Sequence, residues 1–159
     1  MHDYIPPLRD MQFILDELAG LDRVAALPGC EEASPDLVAA ILEEAGKFAA
    51  GVLAPINRDG DVQGCRLMDD GRVLTPEGWQ AAYDQFREAG WLGLSLPVAF
   101  GGQGMPKLVS TPVMEMWCAA NMAFTMLPIL NQGQAEALLI AASEEQKQTW
   151  LHKVVSGEW

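Results

Sequence analysis

Residues 34–53, SPDLVAAILEEAGKFAAGVL, decide the fold class. Their apolar side chains recur every three or four positions, which is the spacing of one face of an α-helix. Ser34 occupies the position of a helix N-cap, Pro35 suits the first helical turn, and Asp36 lies at the positive end of the helix dipole. The segment therefore predicts a long amphipathic helix, which we expect Pro55 to end.

The same period extends over most of the chain. A first helix is predicted before Gly20, and a third from the Thr75-Pro76-Glu77 opening to Gly90. Two more are predicted over about 107–121 and 126–142. The capping-box pattern that Ser143 begins opens a sixth helix, which Gly157 ends.

One stretch lacks this period. Residues 56–74 are rich in Asp and Gly, and Asp70-Gly71 between Leu67 and Val73 predicts a small hairpin near 62–74. About six helices with at most one hairpin predict an all-α domain with orthogonal or bundle-like packing.

Composition excludes several classes of partner. The net charge of −12, without a cluster of Lys or Arg, argues against nucleic acid and against an anionic membrane surface. Cys30, Cys65 and Cys118 form no C-x-x-C pair, so we expect free thiols in a reducing compartment such as the cytoplasm. The first residues do not resemble a signal peptide, and no apolar stretch approaches about 18 residues, so a soluble protein is expected.

The candidate sites are weak. Asn57 to Asp61 resembles the start of a calcium loop, but Val62 and Met68 stand where an EF-hand needs Gly and Glu, so no metal is expected. The Gly101-Gly102-Gln103-Gly104 run lacks the spacing of a phosphate loop and indicates a sharp reversal between helices.

No set of residues indicates catalysis. His2 and His152 have no nucleophile or carboxylate at suitable spacing. Glu136 in an apolar helix could be a buried base, although a residue at this period more often faces water. Met114, Met116, Met122 and Met126 could adapt to an apolar ligand, but filling the core is their commoner use.

Three ordered stretches resemble one family. GWLGLSLP at 90–97 with FGGQG at 100–104, the helix 131–142, and SEEQK at 143–147 followed by SGEW at 156–159 are similar to acyl-CoA dehydrogenases. The opening from Tyr4 to Phe13 narrows the resemblance to a subgroup of large members with an extra leading segment, which includes the 3-methylmercaptopropionyl-CoA dehydrogenases.

The resemblance implies a domain plan. Residues 1–33 would be a leading segment with one helix, and residues 34–159 the amino-terminal helical domain. The family's T-E-P-x-x-G-S-D motif, middle β-domain and carboxy-terminal helical domain, which holds the catalytic glutamate, do not occur in this sequence. We therefore expect a truncated chain, inactive alone, in which no residue is catalytic and none binds the cofactor.

For a whole enzyme the resemblance implies an FAD-dependent oxidoreductase of fatty acid metabolism. It would dehydrogenate an acyl-CoA thioester between the α and β carbons and pass electrons to an electron-transfer flavoprotein. Because this chain is so acidic, we expect other parts of the enzyme to bind the phosphates of coenzyme A. By position, the acyl pocket would be lined by Thr125, Met126, Ile129, Leu130 and Gly133.

Two other interpretations stay open at this point. The chain could belong to a related flavoenzyme with different chemistry, such as a nitroalkane-oxidase-like or alkylation-response protein. It could instead be a free-standing helical interaction module. If domains are missing, apolar faces should be exposed and self-association is expected.

Overall fold

The computed structural model describes residues 4–159, so His2 lies outside the described residues. The predicted all-α class with one small hairpin is confirmed. The helices are α1 (Leu8–Phe13), α2 (Leu21–Ala25), α3 (Pro35–Phe48), α4 (Ala54–Gln63), α5 (Trp79–Glu88), α6 (Lys107–Ala141) and α7 (Glu144–Val155). Shorter elements are the π-helical turns Ile14–Ala19 and Ala49–Leu53, the 3-10 turns Trp91–Gly93 and Val98–Phe100, and the strands β1 (Arg66–Leu67) and β2 (Val73–Leu74).

The expectation that Pro55 ends the second helix is wrong. Helix α3 continues through the π-helical turn Ala49–Leu53 into α4, which ends at Gln63. Proline is tolerated because it lies in the first turn of α4, where its missing N–H has no required partner, and the π turn moves the preceding hydrogen bonds out of register.

Residues 56–63 are helical although their Asp- and Gly-rich sequence has no apolar stripe. The indole of Trp79 packs on Gly60 and donates from Nε1 to the carbonyl of Ile56 at 3.4 Å. A Cβ at position 60 would lie 2.5 Å from that nitrogen. A tertiary contact thus stabilises this turn, and the helical period of the segment itself could not predict it.

Several predicted helix ends are confirmed. The Ser34 hydroxyl accepts from the backbone N–H of Leu37 at 3.4 Å, and Ser143 forms a complete capping box with Gln146. Gly157 ends α7 in the left-handed conformation, at φ 71°.

The predicted opening of α5 at Thr75 is wrong. Gly78 precedes the helix at φ 81°, a backbone conformation that cannot continue an α-helix, so α5 begins at Trp79. Its end beside Gly90 agrees with the prediction.

The hairpin near 62–74 is confirmed. Arg66 pairs with Leu74 and Leu67 with Val73 in an antiparallel register. The Asp70 carboxylate accepts from the backbone N–H of Arg72 at 3.1 Å and also pairs with its guanidinium, and these contacts lower the pKa of Asp70.

Helix α6 is not straight. Lys107 forms an ion pair with Glu136, 29 positions later, whereas in a straight helix these residues would be about 43 Å apart. The break is at Asn121, whose backbone is extended at φ −159° and ψ 88°. The element therefore consists of a first half, residues 107–120, and a second half, residues 122–141, that fold back on each other.

Asn121 holds this elbow together. It is fully buried, and its Nδ2 donates to the carbonyl of Leu53 at 3.2 Å. Its Oδ1 accepts from the backbone N–H of Phe124 at 3.0 Å, so the same side chain caps the second half. This cap makes residues 122–125 helical, and the loop that the sequence predicts between 121 and 126 is reduced to one residue.

Within residues 4–159, α6 alone meets the length and apolarity of a membrane-spanning helix, with 44% of its most apolar window buried inside the domain. Its fold at Asn121 means that the length is shared between two packed helices.

The buried residues of the first half of α6 belong to the main core, which α1, α3 and α5 also build. A second, smaller core joins Leu96 and Ala135 to α7.

Candidate functional site

The second half of α6 exposes an apolar strip. Buried positions line its inner side, and one strip of its outer side carries only apolar side chains and glycine, while the exposed Gln134 and the half-exposed Glu136 lie outside that strip. We define the apolar face as Met122, Met126, Ile129, Leu130, Gly133, Ala137 and Ile140. Leu130 is 67% exposed and Ile140 is 86% exposed. Such a continuous surface marks a place where a ligand or another protein surface binds.

A groove runs along one side of this face. Its volume is ≈ 700 Å³. Helix α5, the hairpin region and the end of α7 form its other walls. It is lined by Cys65, Thr75, Trp79, Gln80, Tyr83, Ala123, Phe124, Met126, Leu127, Leu130, Asn131, Gln134 and Trp159. This volume is in the range of small-molecule sites, and a mostly apolar lining with a few amides is typical of them.

Asn131 links the second half of α6 to the end of α7. It is 7% exposed, and its Nδ2 donates to the carbonyls of Val154 at 3.1 Å and Trp159 at 3.2 Å. Trp159 packs against α7. Its ring lies 4.8 Å from that of Trp150, with the ammonium of Lys153 4.8 Å from its centroid.

Tyr83 forms the wall opposite α6. Its hydroxyl donates to the carbonyl of Gly157 at 2.8 Å, which ties α5 to the segment after α7. Burial raises the pKa of Tyr83; the nearby Arg87 guanidinium opposes this rise and the Asp84 carboxylate adds to it. The phenol therefore stays neutral at physiological pH and acts as a hydrogen-bond donor.

The structure separates the five residues that the sequence placed at an acyl pocket. Met126, Ile129, Leu130 and Gly133 lie on the apolar face, and Met126 and Leu130 also line the groove. Thr125 is fully buried and its hydroxyl donates to the carbonyl of Asn121 at 2.8 Å. Four of the five can therefore contact a ligand directly, whereas Thr125 stabilises the elbow from inside.

The structure also shows the contacts of two other candidates from the sequence, Glu136 and the glycine run at 101–104. Glu136 is half-exposed and pairs with Lys107, which also lies 3.4 Å from the hydroxyl of Ser95. The glycine run forms a reversal: the N–H of Gln103 donates to Gly93 and a Cβ at Gly102 would collide with the carbonyl of Leu96. The backbone N–H of Gln103 is thus used inside the domain.

The groove does not fit the diphosphate of a dinucleotide. None of its lining residues, all within the part of the chain that the structure describes, carries a positive charge. Across residues 4–159 no three or more His, Cys, Asp or Glu side chains converge as metal ligands. The arrangement suits an apolar chain or an apolar surface with one or two hydrogen bonds.

Sequence reasoning missed most of the groove. Trp79 and Tyr83 lie one turn apart on α5, whereas Trp159 belongs to the segment after α7, so these side chains line one groove only after α5, α6 and α7 have packed. The one available signal was the pair of aromatic residues on one face of the predicted third helix, which by itself indicates a core.

The family model for "Acyl-CoA dehydrogenase, N-terminal domain" matches residues 36–158. The 3-methylmercaptopropionyl-CoA dehydrogenase of Ruegeria pomeroyi is 40% identical over 98% of this chain and 26% of its own length. A butyryl-CoA dehydrogenase of Syntrophomonas wolfei is 30% identical over 99% of this chain and 26% of its own. The broad-specificity linear acyl-CoA dehydrogenase FadE5 of Mycobacterium tuberculosis is 30% identical over 92% and 24%. The chain therefore spans about a quarter of the length of these curated relatives.

Proposed function

Because the chain belongs to the acyl-CoA dehydrogenase family and corresponds to its N-terminal helical domain, we propose that it forms one wall of the acyl site in an enzyme that dehydrogenates acyl-CoA thioesters. The wall is the apolar face of α6. Its proposed contacts with the acyl group are Met126, Ile129, Leu130 and Gly133, with Thr125 supporting the helix from its inner side.

The proposal divides the work of the whole enzyme. In this scheme FAD, held by residues of other domains, would supply the acceptor for the hydride of the β carbon, and the base that removes the α proton would also belong to those domains. This chain contributes apolar contacts that orient the acyl group and exclude water from it. We propose that the chain alone is inactive and that the whole enzyme acts in the cytoplasm with an electron-transfer flavoprotein as electron acceptor. By their names two relatives act on short acyl groups, and we propose a substrate of that class.

The observation that carries this proposal is Gly133. Glycine inside a helix costs about 0.5–1 kcal/mol relative to alanine. Here no atom lies within 4 Å of the position that a Cβ would occupy, so no contact within residues 4–159 requires a glycine. A close approach to the backbone from outside the domain would explain it. The acyl group is the occupant that the family membership favours.

The test is steady-state kinetics of the full-length enzyme with Gly133→Leu. We expect kcat/KM for butyryl-CoA to fall at least tenfold because the added side chain fills the acyl site. The matched control is Ala119→Leu, at a small residue that is also exposed and lies on the first half of α6, which should leave kcat/KM unchanged. Equal effects of both variants, or none from Gly133→Leu, would reject the wall.

We further propose that the 159-residue chain self-associates through the same face, since monomers rarely leave so much contiguous apolar surface in water. Sedimentation velocity over a concentration series tests this. Leu130→Glu should shift the distribution to monomer, and a wild-type chain that is monomeric at every concentration would contradict the proposal.

A further inference from the structure

A small cavity lies on the inner side of α6, away from the apolar face. Its volume is ≈ 20 Å³, and the residues that line it include Ser95, Ser110, Trp117 and Gln132. The lining comes from the connector after α5 and from both halves of α6. A cavity needs roughly 10–15 Å³ of this kind of volume to hold one water molecule.

Trp117 lines this cavity and carries an unused hydrogen-bond donor. Its side chain is 2% exposed, and its Nε1–H has no acceptor within hydrogen-bonding distance among residues 4–159. An indole N–H can only donate. A buried donor without a partner is costly, so the site needs an acceptor that the protein does not supply.

Three polar side chains around the cavity, those of Ser95, Ser110 and Gln132, supply further hydrogen-bonding groups. Ser95 Oγ accepts from Gln132 Nε2 at 2.7 Å and lies 3.4 Å from Lys107 Nζ, which leaves its own hydroxyl proton to donate. Ser110 donates to the carbonyl of Lys107 at 3.4 Å and keeps its lone pairs. Gln132 keeps its carbonyl oxygen as an acceptor, since its N–H is directed at Ser95.

We propose that this cavity is a binding site for one structural water molecule. The water accepts from Trp117 Nε1 and Ser95 Oγ and donates to Ser110 Oγ and Gln132 Oε1, which matches its two acceptor and two donor capacities. The site links the connector to both halves of α6 and so fixes the orientation of the second half. It is independent of the proposed enzymatic function.

The test is the nuclear Overhauser effect between water and the tryptophan indole protons of the 15N-labelled chain. We expect a cross-peak at Trp117 and none at Trp79, whose Nε1 donates to the carbonyl of Ile56 at 3.4 Å. The absence of a cross-peak at Trp117, in a spectrum where Trp79 is resolved, would overturn the proposal.

Ser110→Val checks the location. The valine removes one acceptor and fills the cavity, so the Trp117 cross-peak should disappear while the other indole resonances keep their positions. Gln132→Met removes the second acceptor and should give the same loss. A cross-peak that persists in a folded variant would show that the water is bound elsewhere.

Discussion

The two halves of α6 have opposite outer surfaces although they form one element. The first half exposes Lys107, Thr111, Glu115 and Ala119, a mostly polar stripe that faces water. The second half exposes the apolar face. Both halves bury an inner side in the domain, so the difference concerns only what each presents outward.

This contrast separates residues that hold the domain together from residues that are available for binding. A helix whose outer side is polar is complete as folded. A helix that is apolar on both sides needs a ligand or another protein surface to cover its outer side, and the described domain does not supply one. The comparison therefore points to the second half of α6. One methionine from each half, Met116 buried and Met126 exposed, allows the contribution of the two halves to stability to be measured directly.

The largest effect is expected from truncating Met116 in the first half. Met116 is fully buried, and Met116→Ala should lower the free energy of unfolding by about 2–5 kcal/mol, because it removes buried methylene groups and leaves a cavity. The matched change in the second half is Met126→Ala, at a side chain that is 47% exposed, where we expect a loss below about 1 kcal/mol. Urea unfolding of both variants measures the difference, and similar losses would abolish the distinction between the halves.

The next largest loss of stability is expected at Asn121, in the elbow between the two halves. Asn121→Ala removes the cap of the second half and leaves the buried carbonyl of Leu53 without its donor, at a cost of about 2–3 kcal/mol. The neighbouring Met122→Ala, at an exposed side chain, is the control and should change stability by less than about 0.5 kcal/mol. A small effect of Asn121→Ala in urea unfolding would mean that packing alone sets the elbow.

These two experiments also mark what the sequence could predict. Helix ends at Ser34, Ser143 and Gly157 depend on local chemistry, and all were predictable. Pro55 and Asn121 were not. Pro55 stays inside a continuous helical run because of the π-helical turn directly before it, and no side-chain pattern predicts that turn. Asn121 depends on the carbonyl of Leu53, a partner 68 positions earlier in the chain.

The candidate site shows the same limit. Periodicity together with the family resemblance selected one helix, and four of the five named residues lie on its exposed side. The resemblance did not distinguish Thr125, whose hydroxyl forms a hydrogen bond inside the elbow. The groove could not be predicted because Trp79 and Tyr83 on α5 meet Trp159 only in the packed domain.

Gly133→Ala, in the second half, should increase the stability of the chain. Alanine favours the helix over glycine, and no atom within 4 Å opposes the added methyl group, so the isolated chain should become more stable by about 0.5–1 kcal/mol. Gly46 is the control on α3, where a Cβ would lie 3.1 Å from the ring of Pro6 and the same change should not stabilise. Thermal unfolding distinguishes them. If Gly133→Ala destabilised the chain, the surface around it would not be open.

The smallest effect is expected in a comparison of thiol reactivity between the two halves. Cys118 lies half-buried in the first half, and burial raises its pKa, which disfavours the thiolate that reacts with a disulfide reagent. In a background with Cys30→Ser and Cys65→Ser, we compare Cys118 with a thiol introduced by Met126→Cys in a chain that also carries Cys118→Ser. We expect labelling at pH 8 to be about tenfold slower at Cys118. Its rate should also continue to rise with pH beyond about 8.5, where an unperturbed thiol is already half ionised. Equal rates at both positions would show that the second half is as well covered as the first, which would remove the reason to look there for a binding surface.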